Sequence, residues 1–276
     1  MPMPPEPDAV PRHHLLPPSP AGVIWAAVTH GESGDRVYRR SDGAAYAKLA
    51  PAQSIASLDG ERRRSEWLRA QGLPAPEALD WQRSEHGACL LTRALPGVPA
   101  SELSPAQLRD AWPSLARQLR ALHALPVDGC PFERRLAQMA ARAADVVARG
   151  AVNADFLDPA QQDTPPQALL AAVQAELPAR LVQEAGDLVV CHGDSCLPNF
   201  LVDPQTAQCS GLVDLGRLGV ADRYADLALL VANSRDSWAS EAEAAAGTAE
   251  LFAILGIAPD RERLDFYLRL DPLTWG

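Results

Sequence analysis

Residues 191–200 read Cys191-His192-Gly193-Asp194-Ser195-Cys196-Leu197-Pro198-Asn199-Phe200. Leu188–Cys191 before them and Phe200–Asp203 after them are β-leaning, so the pattern predicts strand, polar loop, strand. A third such run, Gln208–Asp214, leads into Asp214-Leu215-Gly216, fifteen residues beyond Asn199. A hairpin built this way holds Asp194 in the loop before it, Asn199 at its entrance and Asp214 at its exit. Phosphoryl transfer from ATP asks the protein mainly for positioning and charge neutralisation. Asp194 can accept the proton of a hydroxyl, and Asn199 and Asp214 offer the hard oxygen ligands that Mg²⁺ prefers.

Working outward, the chain divides by pattern. Val23–Val28, Val37–Arg40, Ala44–Leu49 and Ala88–Arg93 are short and β-leaning, with turn residues such as Gly31, Gly34, Asp42 and Gly43 between the first three. Ala56–Gln71 predicts one helix, ending before Gly72. Pro96, Gly97 and Pro99 then break the chain. Downstream, Ser104-Pro105-Ala106-Gln107 carries a capping box with Pro at the first helical position, opening a helix to Leu122 that Pro113 should bend. Further helices are expected at Phe132–Arg149, Gln167–Glu176, Ala179–Gln183, Ala221–Ser234, Glu241–Leu255 and Asp260–Leu270. The expected organisation is α+β: a Pro-rich disordered tail over 1–19, an N-terminal sheet lobe over 20–93 and a mainly helical lobe over 94–276.

The spacing H-G-D-x-x-x-x-N followed by D-x-G resembles the catalytic and metal-binding loops of the kinase superfamily. His192, in that motif, reads as a structural residue of the loop. Lys48 is the only lysine among 25 basic residues. A compact ammonium touching two phosphates is not replaceable by a planar guanidinium, and Lys48 lies in a strand, as the nucleotide lysine of kinases does. In that fold a helix carboxylate orients the lysine; Glu61 is expected here, with Glu66 as the alternative. Gly31-Glu32-Ser33-Gly34-Asp35 lies between the first two strands, where Ser33 and the backbone at Gly34 could cradle phosphate. No Walker-type G-x-x-x-x-G-K-S/T is present. Kinase-like folds often brace the catalytic-loop backbone with an acid of the helix after D-x-G; by that resemblance Asp226 is expected in this role, and Tyr224 in packing.

Charge and composition narrow the ligand. Residues 1–93 carry eleven acids and eleven bases, whereas 94–276 carry twenty-four acids and fourteen bases, so the second part holds the whole net charge of −10. That balance disfavours nucleic acid, whose binding needs cationic contacts to phosphate, and suits a cationic small molecule. No apolar run reaches the ~20 residues that span a bilayer, and the N-terminus lacks the pattern of a signal peptide. Five cysteines without a C-x-x-C suggest reduced thiols, a cytoplasmic location and neither a disulfide framework nor a zinc site. A monomer is expected.

Longer stretches sharpen the resemblance. Gly31–Arg40 (GESGDRVYRR), Ala94–Ala100 (ALPGVPA), Cys130–Leu136 (CPFERRL), Gly211–Leu230 (GLVDLGRLGVADRYADLALL) and Phe266–Gly276 (FYLRLDPLTWG) resemble the streptomycin 3''-phosphotransferase branch of the aminoglycoside phosphotransferase family, over residues 22–276. The resemblance implies a bilobal protein-kinase-like fold, dependence on ATP and Mg²⁺, and a role in antibiotic resistance. It implies Asp194 as base, Asn199 and Asp214 as Mg²⁺ ligands, Lys48 with Glu61 at the nucleotide, and backbone near Thr92, Ala94 and Leu95 at the adenine. Kanamycin-type members carry an acid near the C-terminus where Pro272 stands here. That departure is compatible with streptomycin, and Asp271 and the Gly276 carboxylate become the candidates for its guanidinium groups. Another aminoglycoside or small hydroxyl metabolite as acceptor keeps the same fold. A non-catalytic nucleotide-binding regulator would not need the intact base and metal positions.

Overall fold

The N-terminal sheet is organised around the strand that carries Lys48. Strands β1 (Trp25–Ala27), β2 (Arg36–Arg40) and β3 (Ala45–Pro51) come first, and a helix α1 (Ile55–Ala70) leads to β4 (Ala78–Ser84) and β5 (Gly87–Arg93). All neighbours pair antiparallel in the order β1-β2-β3-β5-β4. Side chains alternate along β3. Ala47 and Leu49 join Leu15, Tyr38 and Cys89 on one face, and Ala50 joins Leu58 of α1, Ala88 and Leu90 on the other. Lys48 shares the parity of Ala50, and so the α1 side.

The computed structural model describes residues 15–28 and 36–276. They form two compact units divided between Leu95 and Pro96, two residues beyond the expected break. Two expectations in the first unit need correction. Residues 15–19 are not tail: Leu15 is buried, Leu16 packs beside it, and the Trp25 indole N–H donates to the Pro17 carbonyl at 2.9 Å. Strand β4 was not anticipated, because its mixed polar sequence ALDWQRS is that of a mostly half-exposed edge strand without clean alternation.

The second unit is mainly helical. Helix α2 (Pro105–His123) starts with the expected Ser104–Gln107 capping box and runs unbroken through Pro113. It packs on α6 (Glu241–Leu255), where the buried Trp112 indole donates to the Gly247 carbonyl at 2.7 Å. Helix α3 (Leu136–Ala148) begins four residues later than expected, because Cys130–Arg135 is held extended: the Arg134 N–H donates to the Val220 carbonyl at 2.9 Å. Helix α4 (Pro166–Glu184) is one helix rather than two; Pro178 removes one donor without ending it.

Short strands interrupt these helices. β7 (Leu188–Cys191) pairs antiparallel with β10 (Gly219–Asp222), and β8 (Phe200–Asp203) forms a hairpin with β9 (Gln208–Leu212), flanked by β6 (Val98–Pro99). β10 takes the first two residues of the helix expected from Ala221. Asp222 is instead the N-cap of α5 (Arg223–Ser234), accepting from the Tyr224 N–H at 2.9 Å. The same carboxylate accepts from the Tyr267 hydroxyl at 2.9 Å and pairs with Arg263, tying α7 (Arg261–Leu270) to the β7–β10 pair.

Candidate active site

In the first unit, the Lys48 ammonium donates to Glu61 Oε2 at 2.7 Å, and both side chains are less than one-fifth exposed. Glu61 reaches this position by helical spacing. Leu58, Glu61, Ser65 and Leu68 fall at intervals of three and four on the inward face of α1, and Leu58, Ser65 and Leu68 are buried. Glu66, the alternative, points outward and pairs with Arg62 at 2.8 Å. Thr92 lies in β5 opposite Tyr46 and Ala78. The Ala94 N–H already donates to the Ala44 carbonyl at 3.0 Å, so Ala94 is not an open donor for an adenine edge. Ser33 and Gly34 lie outside the described residues.

In the second unit, the loop between β7 and β8 is braced from behind by Asp226. This fully buried carboxylate accepts from the His192 N–H at 2.7 Å, from the Gly193 N–H at 2.8 Å and from His123 Nε2 at 3.0 Å. Burial alone would raise its carboxyl. The hydrogen bond and charge of His123, with His192 and the Gly193 N–H, outweigh that and hold it below the usual carboxylate range. Gly193 sits at φ +82°, and a Cβ there would collide with the Arg217 carbonyl, so the position requires glycine.

His192 is buried with both ring nitrogens engaged. Nε2 lies 3.1 Å from the Val213 carbonyl and Nδ1 lies 3.3 Å from the Asp194 N–H. The network assigns the proton to Nε2, which places His192 as a strut between the loop and the end of β9. The Leu197 N–H is capped by Asn233 Oδ1 at 2.7 Å.

The Asn199 amide Nδ2 donates to the Asp194 backbone carbonyl at 2.9 Å and to Asp194 Oδ2 at 2.8 Å. Its Nδ2 is thus committed to the loop, which leaves Oδ1 as the side-chain atom able to act as a ligand. Asp214 adopts the left-handed conformation, φ 55° and ψ 58°, at the start of a one-turn 3-10 helix, a geometry Asp tolerates better than most residues. Asn199 Oδ1 and the Asp214 carboxylate are hard oxygen donors that fit Mg²⁺. Burial first, and the nearby carboxylates Asp214 and Asp271, raise the Asp194 carboxyl; the Arg217 guanidinium opposes the rise.

Asp271 and Gly276, the candidates for a ligand's guanidinium groups, both meet arginines of their own chain. Asp271 is buried and carries Arg134 at 3.0 Å, Arg217 at 3.4 Å and the Trp275 indole N–H at 2.9 Å. The Arg217 guanidinium also stacks over the Trp275 ring, 4.0 Å from its centroid, and donates to the Thr274 hydroxyl. Burial lowers Arg217 to about 10. The Gly276 carbonyl accepts from Arg142 and Arg149. Asp271 is thus a counter-ion for arginines of its own chain.

The sequence reading missed His123, Asn233, Arg134 and Arg217. His123 lies 103 residues from Asp226, and no local pattern marks such a pair. His123, Cys191 and Asp226 place possible ligand atoms within 4.8 Å of one another. Those atoms are already spent: Asp226 on the loop and His123, and the Cys191 thiol on the Asp222 carbonyl at 3.4 Å. This cluster is a brace, not a metal centre.

Residues 24–267 match the model of the phosphotransferase enzyme family (APH). A streptomycin 3''-kinase of Streptomyces griseus is 54% identical over 255 residues, 92% of this chain and 94% of that protein. An aminoglycoside 3'-phosphotransferase of Streptomyces fradiae is 40% identical, covering 90% of this chain and 94% of that protein. The structure of aminoglycoside phosphotransferase APH(3'')-Id from Streptomyces rimosus in complex with ADP and streptomycin superposes with a TM-score of 0.87 at 49% identity, covering 91% of this chain and 93% of the other.

Proposed function

Because the chain belongs to the phosphotransferase enzyme family, we propose that it transfers the γ-phosphoryl group of ATP to the 3''-hydroxyl of streptomycin and so confers resistance. The observation that carries the chemistry is the Asn199 amide joined to Asp194 at both its carbonyl and its carboxylate. One short loop thereby ties a proton acceptor to a metal ligand. The choice of streptomycin is supported by the Streptomyces griseus and Streptomyces rimosus relatives, each about half identical over nine-tenths of the chain.

In this reading the acceptor oxygen bonds to the γ-phosphorus as the bond to the β–γ bridging oxygen breaks. ADP leaves, and the hydroxyl proton passes to the Asp194 carboxylate. A raised Asp194 carboxyl suits that task, since a more basic carboxylate takes the proton more readily. Lys48, held by Glu61, contacts the nucleotide phosphates. Asn199 and Asp214 would hold Mg²⁺, which when bound would neutralise charge on the phosphoryl oxygens. Asp226 acts indirectly, by fixing the backbone on which Asp194 stands. A cytoplasmic, monomeric enzyme completes the reading; all five cysteines are unpaired, and no described helix is long and apolar enough to cross a membrane.

The 40% identical 3'-phosphotransferase favours one second reading, a 3'-kinase of kanamycin-like aminoglycosides. A panel of aminoglycosides with ATP and Mg²⁺, with the product phosphate position assigned by NMR, separates the two. Streptomycin 3''-phosphate with no turnover of kanamycin is the expected result. Turnover of kanamycin without streptomycin would reverse the assignment.

A further inference from the structure

Cys196 lies between the proposed base and the proposed metal ligand, and its thiol touches both. Its Sγ is 3.6 Å from Asp194 Oδ1 and 3.2 Å from Asn199 Nδ2. Its backbone is in the same turn: the Cys196 N–H donates to the Asp194 carbonyl and the Asn199 N–H donates to the Cys196 carbonyl, both at 3.0 Å. The two Asp194 oxygens therefore differ. Oδ2 accepts an amide N–H at 2.8 Å. Among the described residues Oδ1 has only the thiol, a weak donor.

We infer that Cys196 is a positioning residue that fixes the rotation of the Asp194 carboxylate and presents Oδ1 to the acceptor hydroxyl. This rests on the proposed role of Asp194 as base. A thiol suits the position for a physical reason. It holds the carboxylate in register with Asn199, yet an arriving hydroxyl displaces it at little cost, because an S–H bond to oxygen is weak. Alanine would leave Oδ1 without a neighbour and free the carboxylate to rotate about the single contact at Oδ2. Serine keeps a donor but is shorter, so it restores the contact only in part. Cys196 touches no substrate in this account and acts through Asp194.

The test compares Cys196→Ala, Cys196→Ser and Asp194→Ala in the full chain. Cys196→Ala should lower kcat about three- to tenfold, with the KM for ATP and for streptomycin within about twofold and the melting temperature unchanged. Cys196→Ser should recover part of the loss. Independently of turnover, the Cys196 S–H stretching band, isolated by subtracting the spectrum of the matching alanine variant, should move to higher frequency when Asp194→Ala removes its acceptor. An unchanged kcat in Cys196→Ala, or an S–H band indifferent to Asp194→Ala, overturns the inference. So does a loss that tracks a lowered melting temperature without recovery by serine, which marks packing alone. Retained activity in Asp194→Ala would instead remove the proposed base, while the S–H band would still report the contact itself.

Discussion

Asn199 holds Asp194 at two points, with one amide nitrogen 2.9 Å from its carbonyl oxygen and 2.8 Å from its carboxylate. Removing Asp194 and removing Asn199 should therefore have different signatures. Asp194→Ala should cut kcat by about 10²–10⁴, with nucleotide affinity retained. In the proposed mechanism Asn199→Ala loses both a metal ligand and the brace on the base. Its kcat should fall as well, but raising Mg²⁺ should recover only part of the loss, because added metal does not restore the Asp194 orientation. Steady-state kinetics across a Mg²⁺ series check this. Full recovery at high Mg²⁺ would reduce Asn199 to a ligand alone.

Lys48 and Glu61 give a second prediction, confined to the first unit. The pair is mostly buried, 2.7 Å apart, and Glu61 is set on the inward stripe of α1. Glu61→Gln keeps shape and a hydrogen-bond acceptor but removes the charge that fixes the ammonium. The KM for ATP should rise, with a smaller fall in kcat and an unchanged KM for the aminoglycoside. Lys48→Arg should lose most activity despite keeping the charge, since a planar fork cannot occupy the site of a point-like ammonium. A Lys48→Arg enzyme of near-normal kcat/KM for ATP would contradict that assignment.

The Asp226 brace predicts a pH dependence of stability. Its carboxyl is held below its ordinary value in the folded state. Between the folded and unfolded values the unfolded chain binds more protons, so stability rises with pH there. The contribution is fully present above about pH 4 and is lost as pH falls through the folded value. Asp226→Asn removes it. The stability gap between wild type and variant, from denaturant melts at several pH values, should be widest near neutrality and narrow in acid. A gap of constant size from neutral pH down into acid would show that Asp226 contributes shape and hydrogen bonds but no ionic linkage.

The β8–β9 hairpin and the loop before it were legible because their pattern is local in sequence. Asp194 and Asn199 lie five residues apart, and β-character flanks them. Lys48 stood out through its uniqueness, and Glu61 through its place at the start of the next helix, where kinase-like folds carry the carboxylate that orients the lysine. What escaped had weak or distant signals. β4 is a half-exposed edge strand of mixed polarity, and β10 is four buried residues, too few to show a period. The unbroken α4 escaped because Pro178 reads as a stop, although tertiary packing can outweigh one lost donor. The internal role of Asp271 depends on Arg134, 137 residues away; as a lone acid near the terminus it looked open to a ligand.

That last contrast can be decided by experiment. Asp271 is buried between Arg134 and Arg217 and accepts the Trp275 indole N–H. Truncation would leave two largely buried guanidinium groups without their shared counter-charge, and breaking a buried ion pair from one side costs about 3–5 kcal/mol. Asp271→Ala should therefore lower unfolding stability by an amount of that order. It should also lower kcat, because Arg217 follows directly on the Asp214-Leu215-Gly216 turn and its carbonyl packs against Gly193. A direct contact between Asp271 and a streptomycin guanidinium predicts the opposite pattern: normal stability, a raised KM for streptomycin and an unchanged KM for ATP. Denaturant melts and substrate titrations on the same variant separate the two, and the internal ion pairs favour the first.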